Sequence, residues 1–112
     1  MTEGERKDQE IRQLAFYEVR PEALNEVIVA IKEFVAYLKL NEPGTLRYEV
    51  WQEQDHPTRF VHSFVFRDSQ ADQIHSDSAE VKKFASILYP QCLEPVKFVD
   101  YRQVASKTDH SL

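Results

Sequence analysis

The sequence predicts a single α+β domain with its elements in the order β-α-β-β-α-β and with a sheet that pairs with a second copy. Apolar residues recur at steps of three and four along one long segment, which indicates a helix. Four other segments alternate with a period of two or are rich in strand-forming residues. At 112 residues, the chain has enough length for one core.

The first strand and the long helix are predicted from residues 11–38. Residues 11–19 (IRQLAFYEV) favour a strand, and Arg20-Pro21 ends it, with the proline suited to the first turn of a helix. Asn41-Glu42-Pro43-Gly44 is a helix-ending sequence. Between these signals one apolar stripe predicts about five helical turns, formed by Leu24, Val27, Ile28, Ile31, Phe34, Val35 and Leu38.

Residues 46–67 predict an antiparallel hairpin. Leu46, Tyr48 and Val50 alternate with polar residues and Trp51 up to about residue 53, and residues 54–58 form a turn. Residues 59–67 (RFVHSFVFR) give the third strand, which the short link places beside the second.

The last third of the chain predicts a broken helix and a fourth strand. Asp68 and Ser69 are helix-capping residues before residues 69–77, and Ser78 opens a second helical stretch that ends near Tyr89-Pro90. Residues 95–104 (PVKFVDYRQV) alternate again. Both helical regions then pack on one face of a four-stranded antiparallel sheet.

Large apolar side chains on both faces of the third and fourth strands predict a homodimer. In the third strand Phe64 and Phe66 oppose Val61 and Val65. The helices cover one face only, and each exposed large side chain costs about 1.5–3 kcal/mol relative to burial. A second sheet related by a two-fold axis is the simplest cover.

Composition excludes several partner classes. A net charge of −5 with scattered basic residues disfavours nucleic acid and anionic membranes. Cys92 is the only cysteine, so no disulfide forms within the chain, and we expect a cytoplasmic protein in which Cys92 is a small packing residue. We expect no membrane span and no signal peptide. The predicted folded domain is 11–104, between polar, disordered tails at 1–10 and 105–112.

Two histidines are candidates for chemistry. His75 precedes Asp77 in the least regular part of the helical region, although a lone histidine is also compatible with packing. His62 lies on the phenylalanine side of the third strand, either as a core histidine or as a pocket wall. The aromatic residues, among them Tyr48, Trp51, Phe66 and Phe84, either fill the core or line a cavity for a flat aromatic ligand. We predict no metal site and no nucleotide cofactor, because His75 and Asp77 lack further ligands and the chain has two glycines.

A set of residues forms an ordered pattern along the chain: Glu42-Pro43-Gly44 and Tyr48, the strand 60–66 with Arg67-Asp68, Ala71 and His75, then Phe84 and Tyr101-x-x-Val104. In this order and spacing they resemble the antibiotic biosynthesis monooxygenase domain of the dimeric α+β barrel superfamily, over nearly all of residues 12–104. The resemblance implies a ferredoxin-like protomer, a homodimer with facing sheets, and a pocket between sheet and helices.

Members of that family include cofactor-independent oxygenases of quinols and polycyclic phenols, haem-degrading enzymes and an isomerase of a phosphorylated signalling sugar. The resemblance therefore implies a cofactor-independent monooxygenase of a quinol or polycyclic phenol-like molecule, with His75 as base and Tyr48, His62 and Trp51 as orienting groups. Phe66 and Phe84 would contact the substrate. The alternatives are a non-catalytic dimeric binding or stress protein, or an isomerase of the same superfamily.

Three departures from the family pattern bear on the reaction. Relatives often carry a tryptophan where this chain has Phe66, and a second histidine where it has Glu80. Haem-degrading members use an asparagine in the first strand, and residues 11–20 contain none. Haem degradation is therefore disfavoured.

Overall fold

The computed structural model describes residues 9–108, and the predicted tails at 1–10 and 105–112 fall largely outside that range. The described elements are β1 (Ile11–Glu18), a 3-10 turn (Pro21–Ala23), α1 (Leu24–Asn41), β2 (Thr45–Gln52), β3 (Arg59–Phe66), α2 (Ser69–Asp77), α3 (Ala79–Leu88), a second 3-10 turn (Tyr89–Gln91) and β4 (Lys97–Tyr101). The predicted element order is thereby confirmed.

The strands form one antiparallel sheet in the order β2-β3-β1-β4. β2 and β3 are the predicted hairpin, and β1 lies in the centre between β3 and β4. This is the ferredoxin-like α+β arrangement that the sequence predicts.

Helix α1 is positioned by its apolar stripe. Val27, Ile31, Phe34 and Leu38 are buried at three- and four-residue spacing, and they pack in the main core with Tyr17, Phe60 and Phe84. Pro21 starts a 3-10 turn that leads into α1. The helix ends just before Glu42-Pro43, and Glu42 donates its N–H to the Leu38 carbonyl oxygen at 3.0 Å.

Two capping residues divide the second helical region. The Asp68 carboxylate accepts from the Ala71 N–H at 2.9 Å, and the Ser78 hydroxyl accepts from the Val81 N–H at 3.0 Å. Ser78 has extended backbone and separates α2 from α3. The region around His75 is thus a regular helix, and not the irregular segment that the sequence indicates.

The strand alternation gives the sheet two different faces. Phe60, His62, Phe64 and Phe66 are buried under the helices. The other face, here called the open face, presents Phe16 and Trp51 beside Val61, and Tyr101 at its edge, with Phe16, Trp51 and Tyr101 exposed.

Strand β4 is shorter than predicted. It ends at Tyr101, which pairs with Arg12 one residue after β1 begins. Little of β1 remains for residues 102–104 to pair with, and Val104 is 94% exposed. Within residues 9–108, no helix combines the length and hydropathy needed to cross a bilayer.

Candidate functional site

A cavity of about 230 Å³ lies between the helices and the covered face of the sheet. Its walls come from all four strands, from all three helices, and from Tyr89 and Val96, which lie between α3 and β4. The wall residues that carry the chemistry or the aromatic surface are Tyr17, Phe34, Tyr48, His62, Phe64, Phe66, His75 and Phe84. The cavity is therefore a largely apolar space with a few polar groups, as small-molecule sites commonly are.

The structure brings most of the sequence-predicted site residues to this cavity. His75, Tyr48, His62, Phe66 and Phe84 all line it. Several of the aromatic residues belong to the hydrophobic core and also line the cavity.

Trp51 is not among the residues that line this cavity. It pairs with Val61, one position away from the Val50–His62 pair, so its side chain lies on the open face. It is 57% exposed there. Trp51 is therefore left out of the orienting groups proposed for His75.

His75 forms a buried pair with Glu42. Glu42 Oε1 lies 2.8 Å from His75 Nδ1 and also accepts from the Thr45 hydroxyl at 2.8 Å. Glu42 is 6% exposed and His75 is 8% exposed. With the proton on Nδ1, His75 donates to the carboxylate, which leaves the Nε2 lone pair free to accept a proton from a ligand.

Glu42 is the partner of His75 in this site, and the sequence analysis did not identify it as a site residue. It directly follows the end of α1, where a negative charge interacts unfavourably with the helix dipole. Its second oxygen, Oε2, is buried without a hydrogen-bond partner in the described structure. The sequence offered one signal for this residue, an acidic side chain at the end of a predicted helix, where it does not favour helix stability. Its burial is visible only in the structure.

A second set of polar contacts is a hydrogen-bonded chain of three rings, Tyr17, His62 and Tyr48. His62 Nε2 lies 2.7 Å from the Tyr17 hydroxyl, and His62 Nδ1 lies 2.8 Å from the Tyr48 hydroxyl. Burial lowers the pKa of His62 to about 4, so its imidazole is neutral at neutral pH. Burial also raises the pKa of Tyr17 and of Tyr48 above their usual value, so both phenols keep their protons.

Aromatic rings surround these polar groups. Phe34 stacks on Phe84 with centroids 4.7 Å apart, and Tyr48 stacks on Phe64 at 5.0 Å. The His75 ring lies 5.0 Å from Phe66 and 6.0 Å from Tyr48. Flat, rigid walls of this kind suit an aromatic ligand.

A larger depression of about 520 Å³ lies elsewhere, beside Phe16, Trp51 and Val61. Among its charged wall residues, Arg59 forms ion pairs with Glu18 and with Glu53. None of the described residues that line it is a histidine. The cavity of about 230 Å³ therefore contains the histidines that could transfer a proton, whereas the larger depression lies partly on the open face.

The described residues contain no group of three or more histidine, cysteine, aspartate or glutamate side chains arranged to hold a metal ion.

The family model described as antibiotic biosynthesis monooxygenase matches residues 10–86 of the chain. The comparison of this chain with curated proteins found no match. The family match covers β1 to most of α3 and so includes Glu42, Tyr48, His62 and His75.

Several solved structures share the fold. A proposed antibiotic biosynthesis monooxygenase from Bacteroides thetaiotaomicron has a TM-score of 0.83 at 18% identity, over 94% of this chain and 99% of that chain. One from Caulobacter crescentus has a TM-score of 0.81 at 18% identity, over 88% and 93%. One from Nitrosomonas europaea has a TM-score of 0.78 at 21% identity, over 87% and 92%. At these identities the likeness shows a common fold.

Proposed function

The chain belongs to the antibiotic biosynthesis monooxygenase family, and on that premise we propose that it oxygenates a small phenol or quinol with O2, using its own side chains and no bound cofactor. The observation that carries the proposal is His75, which lines an aromatic cavity and is hydrogen-bonded to the buried Glu42. A phenol has to lose its proton before it becomes a good electron donor to O2, so the protein must supply a base.

His75 is the proposed base. Its Nε2 accepts the proton of the substrate hydroxyl while Nδ1–H donates to Glu42 Oε1. The Glu42 carboxylate holds the ring in the required tautomer and stabilises the imidazolium that forms, as a carboxylate does behind a catalytic histidine. General-base assistance of this kind is typically worth about 10²–10⁴-fold in rate.

The proposed reaction balances with one O2 for each phenol. The substrate anion passes one electron to O2, and the resulting ring radical and superoxide combine to form a carbon–oxygen bond. The oxygen–oxygen bond then breaks, one oxygen stays on the ring as a carbonyl, and the other leaves as water. The two hydrogens of that water come from the substrate hydroxyl, through His75, and from the attacked ring carbon.

The size of the cavity narrows the substrate class. A volume of about 230 Å³ is below the roughly 300–1,000 Å³ of common ligand pockets. A single ring or two fused rings suit this space better than the larger polycyclic phenols that the resemblance includes. We therefore propose monocyclic and bicyclic phenols or quinols as substrates.

The cavity wall also bears on the two alternatives. Its described residues include Asp72 and no lysine or arginine, which does not suit the phosphorylated sugar of an isomerase. The other alternative, a non-catalytic protein that has lost its site, is less well supported, because the cavity is open and contains a histidine paired with Glu42.

We also propose a cytoplasmic homodimer formed through the open face. Phe16 and Trp51 lie beside Val61 on this face, and Tyr101 extends the apolar surface at its edge. Burying these side chains against a second sheet removes them from water, which favours association. The compartment is proposed from the single cysteine.

Oxygen uptake with a panel of naphthols and hydroquinones tests the function. We expect uptake above a heat-denatured control, one O2 for each product molecule, and one labelled oxygen in the product when isotopically labelled O2 is supplied. Product that carries no label, or uptake equal to the control across the panel, would contradict the proposed reaction.

A further inference from the structure

The Tyr17–His62–Tyr48 chain has more hydrogen-bonding capacity than its internal bonds use. A neutral imidazole has one N–H and one acceptor nitrogen, and each nitrogen of His62 faces one tyrosine hydroxyl. One tyrosine must therefore donate to the ring, and the other must accept from it. The accepting tyrosine keeps its own O–H hydrogen for another partner.

The surroundings decide which tyrosine has the spare hydrogen. Tyr17 is 7% exposed and stacks on Phe60 with centroids 5.4 Å apart, and His62 is its hydrogen-bond partner among the described residues. Tyr17 also lines the cavity, but it is the more buried of the two tyrosines, so a ligand or water reaches its hydroxyl less readily. A spare hydrogen left there without an acceptor is unfavourable. Tyr48 is partly exposed and lies beside His75, where a ligand or water can accept from it.

We propose that Tyr17, His62 and Tyr48 form a directed donor chain that ends on an oxygen atom of the bound ligand. Tyr17 O–H donates to His62 Nε2, His62 Nδ1–H donates to the Tyr48 oxygen, and Tyr48 O–H donates into the cavity. Tyr48 is the ligand-binding residue, whereas Tyr17 and His62 are positioning residues. The ligand class is an aromatic molecule with a carbonyl, phenol or phenolate oxygen.

The direction of the chain strengthens its last donor. Hydrogen bonds in series polarise one another, so a tyrosine that accepts from His62 is a better donor to the ligand. A donor aimed at a substrate oxygen that gains negative charge stabilises that charge. The inference deepens the proposed function. Only one part of it rests on that function, namely that the bound ligand is the substrate.

The tautomer of His62 can be observed directly in the unmodified protein. Nitrogen NMR of the histidine rings distinguishes a proton on Nδ1 from a proton on Nε2, and a His62→Gln variant assigns the signal. We expect the proton on Nδ1 at neutral pH. A proton on Nε2 would reverse the chain and overturn the proposal.

Ligand binding tests the end of the chain. The probes are 1-tetralone, a bicyclic ketone, and tetralin, which has the same rings without the oxygen. We expect calorimetry to show that the protein prefers the ketone by roughly five- to tenfold, the effect of one buried hydrogen bond. The Tyr48→Phe variant should lose most of that preference.

The Tyr17→Phe variant tests whether Tyr17 acts on the ligand through His62 and Tyr48, or whether Tyr48 binds the ligand without their help. With no donor to Nε2, His62 can hold its proton there, and Tyr48 then turns its O–H back to Nδ1. We expect Tyr17→Phe to lower the ketone preference and to move the NMR signal to the Nε2-protonated form. Tyr37→Phe, a matched change on α1 outside the chain and the cavity, should preserve both.

An unchanged tautomer and an unchanged ketone preference in folded Tyr17→Phe would overturn the inference. These measurements need no turnover, so they can succeed where oxygen uptake fails. Oxygenation with an Nε2-protonated His62 would instead support the proposed function and refute the directed chain.

Discussion

Gly44 lies so close to Ala71 that a Cβ built on the glycine would be 2.7 Å from the Ala71 Cβ atom. The same glycine accepts a hydrogen bond at its carbonyl from the Arg67 N–H at 2.8 Å. This contact joins the start of β2 to the helix α2 that carries His75. Gly44 is therefore required for the close approach of these two elements, and not for an unusual backbone angle.

We expect Gly44→Ala to destabilise the fold by about 1–3 kcal/mol, because two methyl groups cannot share this space without a shift of α2. Urea unfolding measures the loss. A matched Ala71→Gly change in the same protein removes one of the two clashing groups, so the double variant should lose less stability than the sum of the two single losses, although glycine itself destabilises α2. Strictly additive effects of the two substitutions would show that the contact is not the cause.

The sequence predicts those parts of the fold that depend on local periodicity. The α1 stripe and the β3 alternation each repeat within one element, so they indicate both the element and its buried face. The cavity residues Tyr48, His62 and His75 follow from those faces together with the family resemblance. The end of β4 is not predicted, since it depends on where the distant β1 begins.

The polar contacts within the site are not predictable in the same way. Glu42 and His75 are 33 positions apart, and His62 is 45 positions from Tyr17. No short sequence spacing relates such residues, because tertiary packing brings them together. Trp51 shows the opposite difficulty, because residues that are adjacent in a strand point to opposite faces of the sheet. Val50 pairs with His62, which lines the cavity, whereas the next residue, Trp51, lies on the open face.

A pH-dependent stability is expected from His62. Burial lowers its pKa from 6.5 to about 4, so the folded state takes up a proton less readily than the unfolded chain. The contribution of neutral His62 is full above about pH 6.5 and is lost as the pH falls towards 4. Wild-type protein should lose roughly 1–3 kcal/mol more than His62→Gln between pH 7 and pH 4.5, measured by urea unfolding; parallel curves would contradict this origin.

The open face should determine the oligomeric state. Light scattering at micromolar concentration is expected to give about twice the 13.2 kDa chain mass. Phe16→Asp places a charge beside Val61 on that face and should give monomers. Val29→Asp, at an exposed apolar position on α1, is the matched control and should stay dimeric. A monomeric wild-type protein, or equal effects of the two variants, would count against this interface.

The last prediction concerns the His75–Glu42 pair in turnover. We expect His75→Gln to lower kcat on an identified phenol by at least about tenfold, because the amide cannot accept the substrate proton. Glutamine is preferred to alanine, since His75 is buried and alanine would leave a cavity beside Glu42. His56→Gln is the matched control, because His56 is exposed and pairs with Glu53 away from the cavity.

The double variant separates an orienting role of Glu42 from an independent one. If Glu42 acts only through the ring of His75, Glu42→Gln lowers kcat in the wild-type background and has little further effect once His75 is replaced. Purely additive losses would show that Glu42 contributes to turnover by another route. Full activity of folded His75→Gln would remove His75 from the mechanism, and the base would then have to be sought among the other groups of the cavity.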